Sequence, residues 1–349
     1  MTAVTSDGIR AGTYDIAKSY DWNYDHPPEA PLVAAPPLPG AWDFCGIAVN
    51  SPLGMPAGPL LNSAWIGYYA ALGFDVLTYK TVRSRYRQSY DVPNLLPVAA
   101  DRLDGEGTEI DAAVGGDVHT WAISFGMPSK DPGEWRRDVG RARRLMKPGQ
   151  VLVVSVVASP EPGWTLDQLA ADFAECAYWA AEAGAQAVEA NLSCPNVCTQ
   201  EADLYLDPVA AAAIAAAVRA RVPRLPVLLK VGLYPDRERA AAVVVAVSQR
   251  VDAISATNSI TAVVRGEFGG LRRGIGGRAI TARCLEETRM LGGVIRESGS
   301  ALKLVSVGGV MNAGDVRDRL AAGAHHVQLA TAPMLDAAIG LQIRRELAG

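Results

Sequence analysis

Eight short apolar runs, separated by longer stretches with helical periodicity, are the feature of this 349-residue chain that most constrains its fold. The stretches Leu166–Ala183, Pro208–Arg221 and Asp236–Val247 repeat apolar residues at the spacing of an amphipathic helix. Short buried strands that alternate with helices predict a parallel sheet of the α/β class, and eight is the number of strands that closes a (β/α)8 TIM barrel. A doubly wound open sheet is a weaker alternative, because no G-x-G-x-x-G motif follows the first run. The predicted strands are Gly54–Gly58, Val76–Lys80, Val151–Val156, Ala187–Asn191, Val227–Val231, Ala253–Thr257, Lys303–Val307 and Val327–Ala330.

Two segments fall outside this alternation. Residues 1–44 lack periodicity and are rich in proline, which fixes φ and removes a hydrogen-bond donor, so they predict an irregular arm rather than a domain. Trp22 and Tyr24 indicate that the arm packs onto another part of the protein, and residues 45–349 are assigned to a single barrel. Roughly 70 residues separate Lys80 from Val151, and an insertion of this length after the second strand is typical of a lid or substrate loop on the active face.

The composition excludes several kinds of partner. Lys and Arg number 33 against 37 Asp and Glu, so the net charge of −4 leaves no basic surplus for a nucleic-acid groove or an anionic membrane surface. No stretch approaches the roughly 20 apolar residues of a membrane helix, and the N-terminus lacks the pattern of a signal peptide. The five cysteines are scattered, so we expect a cytoplasmic protein without a disulfide framework.

Polar residues stand where several predicted strands end. Lys80 and Lys230 lie at the ends of the second and fifth runs, Asn191 ends the fourth, and Asn258 follows the sixth. A pair of glycines follows the seventh run, at a position where barrels commonly bind phosphate. Because the carboxyl ends of barrel strands meet at one face, these groups predict a site for a polar heterocycle. A buried ammonium group there needs an anionic or electron-rich partner.

Each of these features also has an ordinary structural interpretation. A lysine at a strand end is often a rim ion pair, an asparagine often caps a turn or a helix, and two glycines often form a tight turn. Cys194 and Cys198 have the spacing of half a metal site, but no second cysteine pair and no suitably spaced histidine completes it, so no metal is predicted. The coincidence of such groups at the ends of six strands favours a ligand site.

The segment 191–197, N-L-S-C-P-N-V, resembles the signature of the dihydroorotate dehydrogenase family in its cysteine-bearing, class 1 form. Other segments resemble those of the family in the same order, and the similarity extends from about residue 46 to residue 340. These segments are Pro56–Pro59, Tyr79–Thr81, Ser124–Ser129, Lys230, Thr257–Ser259, Gly269–Leu271, Gly277–Ile280, Val307–Val310 and Gln328–Ala332.

The resemblance implies a barrel that binds FMN noncovalently at its carboxyl end and transfers hydride between the flavin and a small, dihydropyrimidine-like substrate. Cys194 is then the catalytic base that removes a proton from the neighbouring carbon, or returns it when the reaction reduces a C=C bond. The residues implied to bind FMN are Ala57, Gly58, Lys80, Thr81, Asn191, Lys230, Gly277, Gly308, Gly309, Ala330 and Thr331. The residues implied to bind substrate are Lys80, Gly126, Met127, Asn191, Asn196, Asn258 and Ser259. The resemblance also implies a homodimer.

One position departs from the family pattern in a way that bears on the substrate. Ile123 stands where the family usually has an asparagine that helps to hold orotate, so we expect dihydroorotate to be a poor substrate. Two other function classes stay open at this point. One is a flavin-free, phosphate-binding isomerase or aldolase with Lys230 as a Schiff-base lysine, and the other is a catalytically silent barrel subunit. A bound flavin predicts a yellow protein, whereas both alternatives predict a colourless one.

Overall fold

The computed structural model describes residues 2–4, 10–12, 14–115, 118–193 and 200–349. The strands are β1 (Thr2–Val4), β2 (Arg10–Gly12), β3 (Trp42–Phe44), β4 (Ile47–Val49), β5 (Leu53–Met55), β6 (Val76–Val82), β7 (Leu95–Ala99), β8 (Thr108–Ala112), β9 (Thr120–Ile123), β10 (Val151–Val156), β11 (Ala187–Asn191), β12 (Val227–Val231), β13 (Ala253–Ala256), β14 (Ile260–Val264), β15 (Arg272–Gly277), β16 (Lys303–Val307) and β17 (His326–Gln328). The α-helices are α1 (Tyr20–Asp25), α2 (Ser63–Ala71), α3 (Pro132–Leu145), α4 (Leu166–Ala183), α5 (Pro208–Arg221), α6 (Arg237–Val247), α7 (Thr281–Ser298), α8 (Ala313–Ala321), α9 (Thr331–Leu335) and α10 (Ile339–Ala348).

Eight of these strands form a closed parallel barrel in the order β5-β6-β10-β11-β12-β13-β16-β17, and β17 returns to β5. The predicted TIM barrel is therefore confirmed. Strands β10, β11, β12 and β16 have the predicted bounds, because strands buried on both faces are continuous apolar runs in the sequence. The first strand ends at Met55 rather than Gly58, since Pro56 has no N–H to continue the ladder. Strand β6 extends to Val82, β13 ends at Ala256, and β17 is His326–Gln328.

The helices surround the barrel, and several of them begin at side chains that cap their free N–H groups. Thr165 and Gln168 form a capping box at the start of α4, which ends at Gly184 in the left-handed region with φ of 111°. Asp207 accepts from the backbone N–H of Val209 at the start of α5, and Pro208 occupies the first turn. Within the described ranges, no helix has the length and apolar character needed to cross a membrane.

A hairpin of β3 and β4 closes the amino end of the barrel. Phe44 and Val49 pack against interior residues near the strand starts, among them Val151 and Leu228. The ring of His326 lies 5.0 Å from that of Phe44, measured between ring centroids. Apolar side chains therefore close the barrel interior at the amino ends of the strands, and solvent reaches it from the carboxyl ends. The predicted boundary between arm and barrel, at residues 44 and 45, falls in the turn of this hairpin.

The described part of the N-terminal arm packs against the segment that follows β9. The rings of Tyr14 and Tyr20 each contact that of Phe125 edge-on, with centroids 5.9 Å apart. The backbone N–H of Tyr20 donates to Oδ1 of Asn94 at 2.8 Å, and Nδ2 of Asn94 donates to the carbonyl of Ser124 at 3.0 Å. Asn94 thus connects the arm to the segment carrying Ser124 and Phe125.

A second, smaller closed sheet stands beside the barrel in the order β14-β15-β9-β7-β8. Strands β7, β8 and β9 come from the predicted insertion after β6, whereas β14 and β15 come from an insertion after β13 that the sequence analysis missed. The turn between β14 and β15 exposes Gly269 and Gly270 and is not part of the cavity wall. The segment Gly269–Leu271, which resembles a segment of the family, therefore lies outside this cavity wall. The glycines at the end of β15 do line the cavity.

Candidate active site

A cavity that is partly open to solvent lies at the carboxyl ends of the barrel strands. The strand ends form its floor, while Ile123, Phe125 and Met127 from the insertion form part of its wall. This is the position at which barrel enzymes carry their active sites.

Most of the residues predicted to form a site line this cavity. They are Ala57, Gly58, Lys80, Thr81, Met127, Asn191, Lys230, Asn258, Ser259, Gly277, Gly308, Gly309, Ala330 and Thr331. Gly126 does not line it: a Cβ at Gly126 would lie 2.8 Å from the ring of Tyr90, and its φ of 73° serves the turn between Phe125 and Met127. Cys194 and Asn196 lie outside the described residues.

Two lysines reach the cavity from different strands, and both are nearly buried. Lys80 on β6 is 6% exposed and Lys230 on β12 is 5% exposed. Burial lowers the pKa of Lys230, and the carboxylate of Glu189 partly offsets this by raising it. The floor of the cavity therefore holds cationic groups in a region of low dielectric constant, where they stabilise negative charge on a bound ligand.

Hydrogen bonds fix the amide side chains at the strand ends. Oδ1 of Asn191 accepts from the backbone N–H of Ser193 at 3.2 Å, and its Nδ2 lies 3.5 Å from Sδ of Met127. Nδ2 of Asn258 donates to the carbonyl of Ser193 at 2.6 Å. Both asparagines therefore hold the chain at Ser193, immediately before Cys194.

The loop carrying Met127 is constrained as well. Met127 has a φ of 51°, which is unfavourable for a side chain with a Cβ. Nε of the buried Arg83 donates to the carbonyl of Met127 at 3.2 Å, and Nη1 donates to that of Ala158 at 2.5 Å. Arg83 thus holds a strained residue against the cavity.

Two buried polar atoms of the cavity lining have no hydrogen-bond partner among the described residues. They are Oε2 of Glu189 and Oγ1 of Thr257, whose side chains are 1% and 2% exposed. Buried polar groups are rarely unpaired, so these atoms fit a ligand ring that carries both donors and acceptors, as an isoalloxazine does. Sequence reasoning missed both, although a glutamate inside an otherwise apolar strand is a visible signal.

Glycines form the opposite side of the cavity because side chains would not fit there. Gly277, Gly308 and Gly309 have φ values of 105°, 105° and 72°. A Cβ at Gly277 would lie 2.0 Å from the carbonyl oxygen of His119, and one at Gly309 would lie 2.5 Å from the backbone of Thr281. A phosphate group can approach backbone N–H donors closely where glycines leave no side chain in the way. The residues present thus fit the ring and the phosphate of FMN.

A closed parallel barrel with a cavity at the carboxyl ends of its strands defines the class of (β/α)8 proteins, which carry their active sites on this face. Within this class, the family model described as dihydroorotate dehydrogenase matches residues 41–349. The chain therefore belongs to the dihydroorotate dehydrogenase family.

Individual relatives agree with this assignment. The chain is 31% identical over 323 residues to a dihydroorotate dehydrogenase of Dictyostelium discoideum, covering 86% of each chain. It is 30% identical over 315 residues to a dihydroorotate dehydrogenase (quinone) of Kineococcus radiotolerans, covering 82% of this chain and 75% of the relative. A crystal structure of the Eimeria tenella enzyme in complex with ferulenol superposes with a TM-score of 0.73 over 98% of this chain and 93% of that one. At 15% identity, the latter likeness shows the fold alone. The family prediction is confirmed, while the class 1 form stays a prediction.

Proposed function

We propose that the protein is an FMN-dependent oxidoreductase that interconverts a CH–CH and a C=C bond in a dihydropyrimidine or a related cyclic amide. The observation that carries the proposal is the meeting of two nearly buried lysines with a glycine-lined wall in one cavity at the barrel's carboxyl end. Membership of the dihydroorotate dehydrogenase family supports the same reaction class.

The cavity residues fall into three groups according to the role that each is assigned in binding FMN. Gly277, Gly308, Gly309, Ala330 and Thr331 line the part suited to the phosphate. Ala57, Gly58, Thr81 and Asn191 lie where small or polar groups can contact the ring system, and Lys80 and Lys230 stabilise negative charge on it. Bound FMN supplies the hydride acceptor or donor, and the protein supplies placement and electrostatics.

The substrate site is assigned to the side of the cavity nearest the loop after β9. Lys80, Met127, Asn191, Asn258 and Ser259 line the cavity and offer donors and acceptors to a flat cyclic amide. Asn196 completes this set from the segment that follows Ser193. The hydrogen bonds of Asn191 and Asn258 to Ser193 make the two amides rigid before substrate binds.

Cys194 is assigned the proton transfer. In the oxidative direction, its thiolate takes a proton from one ring carbon, while the adjacent carbon loses hydride and the C=C bond forms between them. In the reductive direction, the thiol returns that proton. Cys194 directly follows Ser193, whose backbone both asparagines hold, so the base is attached to a fixed part of the site.

The test is anaerobic mixing of the purified protein with dihydropyrimidines, followed by the loss of flavin absorbance near about 450 nm. Cys194→Ala should keep its flavin and bleach on the order of 10²–10⁴-fold more slowly than the wild-type protein. Cys198→Ala is the matched control and should bleach at the wild-type rate. Equal rates for wild type and Cys194→Ala would remove Cys194 from the mechanism.

The assembly and location are part of the same proposal. We assign a cytoplasmic location, supported by the few, scattered cysteines, and a homodimer that acts on a small molecule, as the family resemblance implies. Sedimentation of the flavin-loaded protein distinguishes a dimer from a monomer.

A further inference from the structure

We infer that Arg319 is the positioning residue that gives the Gly308-Gly309 turn its affinity for the flavin phosphate, and that it thereby sets a preference for FMN over riboflavin. The inference rests on the proposed function, since it takes FMN as the ligand of the cavity. Arg319 lies on α8 and does not line the cavity, so its effect must pass through the turn.

The guanidinium of Arg319 is enclosed by the backbone and hydroxyl groups around the turn, and the side chain is only 1% exposed. Its Nη2 donates to the carbonyl oxygens of Gly308 at 2.8 Å and Thr281 at 2.9 Å. Its Nη1 donates to the hydroxyl oxygens of Ser306 at 3.1 Å and Thr288 at 3.3 Å. One side chain therefore connects the end of β16, the turn after it and the start of α7.

The charge of Arg319 is not neutralised by these contacts, because all four acceptors are neutral. Among the described residues, no carboxylate forms an ion pair with it. Burial lowers the pKa of the guanidinium, but arginine stays protonated in proteins. The carboxylates of Asp315 and Asp318 on the same helix offset this charge without forming an ion pair with it, and an anion bound at the adjacent turn would compensate it further.

The peptide between Gly308 and Gly309 carries the effect of Arg319 to the cavity. In a planar trans peptide, the carbonyl and the following N–H point in opposite directions. Since the carbonyl of Gly308 points toward Arg319, the N–H of Gly309 points away from it. Gly309 lines the cavity and Arg319 does not, so this N–H is directed toward the ligand side. A charged donor on the carbonyl also polarises the peptide and strengthens its N–H as a donor.

The packing around the turn keeps this peptide in one orientation. A Cβ at Gly308 would lie 2.7 Å from Sγ of Cys284, and one at Gly309 would lie 2.5 Å from the backbone of Thr281. The hydroxyl of Thr281 also donates to the carbonyl of Gly309 at 2.5 Å. The turn thus presents a preorganised donor to an anion.

The experiment titrates flavin-depleted protein with FMN and, separately, with riboflavin, which has the same ring system but no phosphate. Flavin fluorescence gives the two Kd values. For Arg319→Gln, we expect the Kd for FMN to rise on the order of 10- to 100-fold, as for a fixed charge acting at an effective dielectric constant near 20. The Kd for riboflavin should stay within about 3-fold, because the ring contacts are unchanged. Arg317→Gln is the matched control, since Arg317 is exposed on the same helix, and it should behave as wild type.

Arg319→Lys keeps the charge but loses the planar set of donors, so its FMN-to-riboflavin ratio should fall by about 3- to 10-fold. If Arg319→Gln does not fold, the affinity ratio of Arg319→Lys tests the inference in its place. Equal weakening of FMN and riboflavin binding in Arg319→Gln, or in Arg319→Lys where the glutamine variant does not fold, would overturn the inference and leave Arg319 a purely structural residue. A wild-type protein that binds neither flavin would instead overturn the proposed function.

Discussion

Replacing Ile123 by asparagine should move the substrate preference of the protein toward dihydroorotate. Ile123 ends β9 opposite Gly274 of β15, and its Cδ1 lies 3.2 Å from the point where a Cβ on Gly276 would be. Its side chain therefore lies across the glycine face of the cavity wall. The neighbouring Ser124 does not line the cavity, and its hydroxyl accepts from Nε of Arg273 at 2.8 Å in a buried contact.

The magnitude follows from the loss of one buried hydrogen-bond partner. Isoleucine neither donates nor accepts, so a ligand carboxylate or carbonyl held against Ile123 is desolvated without a replacement. Such a group costs about 1–3 kcal/mol, which is roughly 5- to 150-fold in kcat/KM. An asparagine of similar size should recover much of this for dihydroorotate and gain nothing for dihydrouracil or dihydrothymine.

The assay compares kcat/KM for dihydroorotate, dihydrouracil and dihydrothymine in wild type, Ile123→Asn and Ile123→Leu. The leucine variant keeps an apolar wall and controls for changes in packing, so its preference should match that of wild type. The wild-type protein should favour the less polar rings, and Ile123→Asn should raise the relative value for dihydroorotate. A wild-type protein that already prefers dihydroorotate by a large factor, with no shift in Ile123→Asn, would refute the reasoning.

Three further predictions follow from single positions. Gly309→Val should sharply reduce the flavin content of the purified protein, since its Cβ would lie 2.5 Å from the backbone at the start of α7; full flavin occupancy would show that the phosphate site is misplaced. Asn94→Ala should lower the free energy of unfolding in urea by about 3 kcal/mol, because buried groups including the carbonyl of Ser124 lose their partner; a loss below about 1 kcal/mol would contradict this. Burial raises the pKa of Cys284 to about 11, so this thiol should not be alkylated in the folded protein at neutral pH; its rapid modification, measured by mass spectrometry, would contradict the buried environment.

The barrel could be predicted because each of its strands is a local signal. Strand β10 is fully buried and consists almost entirely of valine and leucine, and α4 begins at a capping box and ends at Gly184. These features depend on residues close together in the chain. The end of the first strand at Met55 differs from the prediction because apolar composition does not show where Pro56 stops the ladder.

The smaller sheet could not be predicted from local sequence signals. Its strand β8 pairs with β14, so Ile110 lies beside Val264 although the two are far apart in sequence. Strand β8 is largely exposed, and β7 contains Pro97, so neither resembles a buried strand. Their pairing is a property of the tertiary structure.

The residues of the candidate site that could be predicted from the sequence are those near the carboxyl ends of the barrel strands. Lys80, Asn191 and Lys230 were found because they lie at strand ends, and the structure places all three on one cavity. Glu189 and Arg319 were not predicted because they lie inside a buried strand and on the buried face of a helix, away from the strand ends. A charge inside a fully buried strand or on the buried face of a helix is a signal that the sequence does contain.

The most direct test of the central claim is the absorption spectrum of the purified protein, together with the identity of the chromophore that acid or heat releases. We predict a yellow protein with a band near about 450 nm that releases FMN in equimolar amount to the chain. A colourless protein that takes up no FMN on reconstitution would contradict the account.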